Sequence, residues 1–256
     1  MATPSTDHGR PTEAEKILTS LDAVSPTSMT SCPGWSAHHV AAHIAGNYQE
    51  VRYHLEAFAA GHPLQKTRSF EERESPLYEL PHADLLAQVE REEVAMRQAL
   101  AEVLSQAPEA RLQWTGRTVE VAGFGTHMRS EDAVHRWDLV GDDETSTALL
   151  GQQELLNHAV KFIGAPLCQR GLRHGAGDQP LTVTVRTEGQ DDLKVTMGEG
   201  AAQLAVVPAE GSATIYADAA ARLLLLWGRK AAPFYRLQAS GDVQAVGRLQ
   251  LLFSGY

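Results

Sequence analysis

The hydrophobic pattern of this chain changes after Asp142, from long helical stripes to short mixed elements, and that change limits the possible folds more than any other feature. Before it, apolar residues recur at the spacing of a buried helical face over long stretches. Ile17, Leu18 and Leu21 form such a stripe within residues 12–23; Val40, Ile44, Val51, Leu55 and Phe58 form one within about 37–60. Leu85, Leu86, Val89 and Val94 form a third, within about 83–105, opposite the charged face of QVEREEVAMRQ. Ser36 can cap the second helix, and Gly61 with Pro63 ends it. A fourth helix runs from about Thr126 to Gly141, after a short extended piece at 118–122. Residues 62–81 are polar and broken by Pro63, Pro76 and Pro81, which reads as a long loop of a size that hints at function. Long amphipathic segments joined this way predict an antiparallel four-helix bundle.

Beyond Asp142 a helix at about 149–163 leads into LCQRGLRHGAGDQP, whose glycines and polar residues suggest a domain boundary. The runs LTVTVRT, LKVTMG, AQLAVVP and ATIYAD then alternate with period two, as strands of a mostly antiparallel sheet do. Helices at about 219–227 and 242–253 flank a last strand at 236–240. The expected fold class is α plus α+β: a helical bundle over 1–165, then a smaller α+β domain over 178–256.

Charge narrows the choice of partners. Asp and Glu outnumber Lys and Arg by 32 to 22, for a net charge of −10, and no basic stripe is present. Nucleic acid and anionic membrane surfaces are therefore poor partners. The longest apolar run, LLLLW at 223–227, is far too short to span a bilayer, and MATPSTDHGRP has no secretory-signal pattern. The two cysteines, Cys32 and Cys168, are too few for a disulfide framework, so a reducing, cytoplasmic setting is expected.

The chemistry concentrates in GFGTHMRSEDAVHRWDLVGD, residues 123–142. As a helix, this stretch puts His127, Glu131 and His135 on one face. A carboxylate and an imidazole one turn apart form half of a site for zinc or another borderline dication. They also fit a solvated helix with a chance ion pair. In the second helix, HHVAAH places His39 and His43 on a common face, with His54 three turns beyond His43. His43 suits the inner stripe, either as a ligand facing Glu131 and His135 or as a buried, hydrogen-bonded histidine.

Two patterns carry a resemblance. CPGWSAHHVAAHIA at 32–45 has a C-P-G-W turn and a histidine eight residues after its Trp, here Trp35 and His43. RSEDAVHRWDL at 129–139 reads R-x-E-x3-H-x2-D, here Arg129, Glu131, His135 and Asp138. In this order and separation they resemble the mycothiol-dependent maleylpyruvate isomerase family, within the DinB-like superfamily of metal-binding four-helix bundles. LLLWGR at 224–229 and the following Gly241–Asp242 resemble the sterol-carrier-like domain common in that family. The resemblance implies a divalent metal, usually zinc, on His43, Glu131 and His135. Three protein ligands leave an open position, as catalytic sites do.

Asp138, one turn past His135, then either orients an imidazole or ends the helix as a charge or cap. His127 and His39 are neighbours that could meet substrate. Arg229 is, as the resemblance implies, a catalytic-cleft arginine for a substrate carboxylate, or else a surface group beside Lys230. Cys32 fits packing better than nucleophilic attack.

The implied thiol cofactor is mycothiol, a cysteine-derived sugar thiol. A free thiol has a pKa of about 8.5, and binding to a dication deprotonates it. The expected activity is attack of that thiol on a small electrophile, giving S-transfer, thiol exchange or cis–trans isomerisation. Metal-assisted hydrolysis without mycothiol and non-enzymatic carriage of an apolar ligand are the rival readings.

Overall fold

In a computed structural model of the chain, residues 10–63, 66–176, 179–229 and 236–253 are described. The chain divides into two compact units, Met1–Val140 and Gly141–Tyr256. The first contains helices α1 (Thr12–Ala23), α2 (Ala37–Ala59), α3 (Phe70–Tyr78), α4 (His82–Gln106) and α5 (Gly123–Val140), with a hairpin of β1 (Arg111–Trp114) and β2 (Arg117–Glu120) before α5. α2 packs mainly on α4, and α1 on α5. Ile17, Leu21, Val40, Ile44, Val51, Leu55, Leu85 and Val89 are buried between them, while Leu18, Phe58, Leu86 and Val94 lie half-buried at the stripe edges. The hairpin turns through Thr115 (φ 48°) and Gly116 (φ 79°), with Trp114 opposite Arg117. Two left-handed residues match the twist of a two-residue hairpin loop, and Gly116 adopts that conformation without strain.

The segment read as a loop at 62–81 contains α3. Ser69 caps it: the Glu72 amide donates to Ser69 Oγ at 3.2 Å, and the Ser69 amide donates back to Glu72 Oε2 at 2.7 Å. This reciprocal pair satisfies helix-end donors that would otherwise be unpaired. Pro76 sits inside the helix, late enough for the capped first turn to survive. α3 lies close on α2 because position 46 is glycine. A Cβ there would be 3.2 Å from Glu74 Cγ and 3.6 Å from Arg73 Cγ. Gly46→Leu is therefore expected to wedge α3 outward and cost about 1–3 kcal/mol. A lowered urea midpoint with faster proteolysis at α3 would show it; an unchanged midpoint would count against this packing.

The second unit begins with α6 (Glu144–Leu150) and α7 (Gln153–Ala159), a π turn (Val160–Gly164) and α8 (Ala165–Arg173). Where one helix and a polar linker were expected, the chain makes short helices, and α8 takes up the first part of the linker. These helices belong to the same compact unit as the sheet. The sheet is ordered β5-β4-β3-β6-β7, from β3 (Leu181–Arg186), β4 (Asp192–Gly198), β5 (Ala201–Val207), β6 (Ile215–Ala217) and β7 (Leu237–Ala239). All its pairs are antiparallel except β3 with β6. α9 (Ala219–Leu226) and α10 (Gln244–Leu252) complete the α+β unit. α8 passes so close to α10 that a Cβ at Gly171 would lie 2.0 Å from the Leu252 carbonyl oxygen. Among the described residues no helix is long and apolar enough to cross a membrane.

Candidate metal centre

α5 presents Glu131 and His135 one turn apart, and α2 brings His43 to meet them. The Nε2 atoms of His135 and His43 lie 3.4 and 3.7 Å from the same oxygen, Glu131 Oε2. One donor atom from each residue falls within 4.8 Å of the others, and all three residues are buried. Both imidazoles are oriented from behind. His43 donates from Nδ1 to Glu74 Oε1 at 2.8 Å, and His135 donates from Nδ1 to Asp138 Oδ2 at 2.9 Å. A proton held on Nδ1 by a carboxylate leaves the Nε2 lone pair to face the centre, the arrangement that metal-ligating histidines use. Asn47 Nδ2 donates at 2.9 Å to the same His43 Nε2 lone pair and would have to turn aside for an ion, while Tyr78 donates its hydroxyl to Glu74 Oε2 at 2.8 Å.

The C-P-G-W turn forms one wall. The Ser31 amide donates to the Asp138 carbonyl at 2.8 Å, bringing the Cys32 thiol to 3.1 Å from Asp138 Oδ2. Trp35 lies nearly parallel to His135, with ring centres 6.1 Å apart, and 5.0 Å from His43. Phe70 of α3 meets the His43 ring edge-on at 5.4 Å.

Electrostatics favour a cation at this centre. Burial alone would keep Glu131 protonated, yet hydrogen bonds from His135 and His43 hold it well below the usual carboxylate range. Burial alone would keep His135 neutral, yet Asp138, Cys32 and Glu131 push its pKa well above the ordinary imidazole value. The surrounding carboxylates thus favour positive charge here, carried by a proton on His135 or by an ion that displaces it. Two imidazole nitrogens and one carboxylate oxygen suit zinc or a similar borderline dication, so the residues present fit the implied metal.

The other candidates are spread out. His127 places Nε2 3.5 Å from Glu131 Oε1, on the far side of that carboxylate, and burial lowers its pKa. His39 is at the entrance of α2, where its Nδ1 accepts from the Ser36 amide at 3.2 Å and lies 2.7 Å from the Ser36 hydroxyl. Its ring packs 5.1 Å from that of Tyr78. His54 pairs with Glu50 at 3.3 Å. Arg229 belongs to the second unit and donates from Nη1 to the Trp227 carbonyl at 3.1 Å.

Sequence reasoning missed Glu74, Asn47 and the Cys32–Asp138 contact. For Glu74 a signal existed: S-F-E-E at 69–72 is a capping box, which makes a helix start where Pro76 and Pro81 suggested a loop.

Residues 12–140 match the family model of the mycothiol maleylpyruvate isomerase N-terminal domain. No curated protein matches the sequence. Crystal structures of the mycothiol-dependent maleylpyruvate isomerase, and of a histidine-to-alanine variant of it, are similar in fold. Each has a TM-score of 0.63 and 16% identity, over 90% of both chains. Since the matched span takes in half of the sequence and includes His43, Glu131, His135 and Asp138, the chain belongs to the mycothiol maleylpyruvate isomerase N-terminal domain family.

Proposed function

We propose that this protein is a mycothiol-dependent metalloenzyme acting on a small electrophile, with cis–trans isomerisation as its first reading and S-transfer or thiol exchange as related outcomes. The observation carrying this is the convergence of His43, Glu131 and His135, each imidazole fixed from behind by its own carboxylate. A dication held there, zinc by its donor set, supplies the charge that keeps a bound thiol as thiolate at neutral pH. Glu131 contributes negative charge, and the two Nε2 lone pairs complete a three-ligand set with room for an exogenous group. Glu74 and Asp138 hold the ring orientations, which tunes how strongly the imidazoles donate. Trp35 and Phe70 wall the centre with apolar surface, which limits water near a reactive sulfur. A carboxylate-binding role for Arg229 belongs to the same reading.

Product mass spectrometry on the metal-loaded full chain, given mycothiol and a panel of electrophiles, tests the proposal. Conjugates or isomers should form only when thiol and metal are both present, and Arg229→Gln should slow turnover of acidic electrophiles. Products that form without thiol would move the assignment to metal-assisted hydrolysis. Calorimetry showing no metal-dependent interaction with mycothiol would overturn the thiol assignment.

A further inference from the structure

We propose that Arg73 is an anion-binding residue of this centre, holding a carboxylate of the electrophile beside His43, Glu131 and His135. This rests on the reading that the site takes a small acidic electrophile, and it adds a residue beside the metal ligands that reads that charge.

Arg73 lies in α3 next to Glu74, the carboxylate that orients His43. It is only 5% exposed. Its guanidinium carbon is 4.5 Å from the centre of the Phe70 ring, which itself contacts the His43 imidazole. His43, Phe70 and Arg73 thus form one continuous wall.

The hydrogen-bond account of this side chain does not close within the protein. A guanidinium carries five N–H donors. Among the described residues, none of Arg73's donors has an acceptor at hydrogen-bond distance: Nε is sealed from water without a partner, and Glu74 Oε1 is 3.7 Å away. The nearby carboxylates are engaged elsewhere. Glu74 accepts from His43 and Tyr78, and Glu50 from Arg68 and His54. Glu131 faces the two ligand histidines. Burial therefore dominates, and it lowers the Arg73 pKa despite those three carboxylates.

The most deeply buried arginine behaves differently at its terminal nitrogens. Arg222, in the second unit, donates from its terminal nitrogens to the Asp191 carbonyl and Gln190 Oε1, both at 2.6 Å. Arg222 Nε is likewise without a partner, but its terminal nitrogens are engaged, whereas those of Arg73 have no acceptor among the described residues. Buried polar groups without partners are rare in native interiors, and this one borders the candidate centre. With one face covered by Phe70, the edge carrying its terminal nitrogens is the part that can meet a ligand. That fork matches the two oxygens of a carboxylate.

Acrylate and acrylamide, nearly equal in shape and different in charge, are suitable probes. Their affinities for the full chain would be measured by ligand-observed NMR, with and without zinc. Wild type should bind acrylate roughly ten- to a hundredfold more tightly than acrylamide. Arg73→Gln should erase that preference while leaving acrylamide affinity and zinc content unchanged. Arg73→Lys, which keeps the charge but loses the fork, should retain only part of the preference; it also carries the test if the Gln variant fails to fold. A preference that survives in Arg73→Gln, or none in wild type, overturns the proposal. So does a preference that depends on zinc and not on Arg73, since the metal would then hold the carboxylate. Zinc content and mycothiol binding are read separately, so failure of the metal–thiol reading is distinguishable from failure of this one.

Discussion

Glu131→Gln should leave a folded protein that binds zinc a hundred- to a thousandfold more weakly. Four-ligand structural zinc sites are worth about 10–16 kcal/mol, so one ligand accounts for roughly 3 kcal/mol or somewhat more. The amide has the same size and shape but lacks the charge that neutralises the ion, and Glu131 Oε2 is the atom both imidazoles approach. His43→Ala should lose a comparable amount. Asp138→Asn, which touches the site through His135 and Cys32 and removes no proposed ligand, should lose about ten- to a hundredfold. Zinc titration against a competing chelator at pH 7 would rank the three. Equal metal content in wild type, Glu131→Gln and His43→Ala would remove the metal centre from the proposed function and revive the apolar-carrier reading.

Glu50→Gln should destabilise the fold by an amount that depends on pH. Glu50 is fully buried, accepts from the Arg68 amide at 2.7 Å and its Nε at 2.6 Å, and pairs with His54. Burial alone would raise its pKa, but the contacts from His54 and Arg68 outweigh that and hold it at about 2, against 4.5 for an ordinary glutamate. A depressed carboxylate stabilises the fold above its unfolded pKa and loses that contribution as pH falls through the folded one. The window here is therefore from about pH 4.5 down to about 2. The shift corresponds to roughly 3 kcal/mol, or about 2 kcal/mol after allowing for Arg68 being partly in solvent. Urea unfolding at pH 7 should show that gap between wild type and Glu50→Gln, and by pH 3 the gap should have narrowed. A gap that stays constant with pH would mean that Glu50 is not ionised in the native state.

The bundle was legible because its helices are long and separate one apolar stripe from a charged face; Thr12–Ala23 and Ala37–Ala59 follow their stripes almost residue for residue. The sheet was legible for the complementary reason, since alternation in LTVTVRT and its neighbours fixes which side chains face inward. Periodicity failed where an element was too short to show a period. α3 has two turns and an internal proline, and only its cap announces it. The site divided along the same line. His43, Glu131 and His135 are spaced by helices the pattern already revealed. Glu74 and Arg73 reach them only because a glycine in another helix lets α3 settle close, and a contact of that kind leaves no periodic trace.

α3 carries Glu74, which sets how His43 donates, and Arg73 and Phe70, which face whatever the site receives, on adjacent turns of one nine-residue helix. Any shift in this helix moves all three together. If the centre holds a metal as proposed, a lineage that displaces α3 to accept a new electrophile also perturbs that binding, and must recover it before the new preference is useful. Divergence in substrate range should accordingly proceed through paired changes, one in α3 and one in the stretch of α2 around Gly46 and Asn47. Directed evolution that randomises α3 alone should return mostly metal-poor variants.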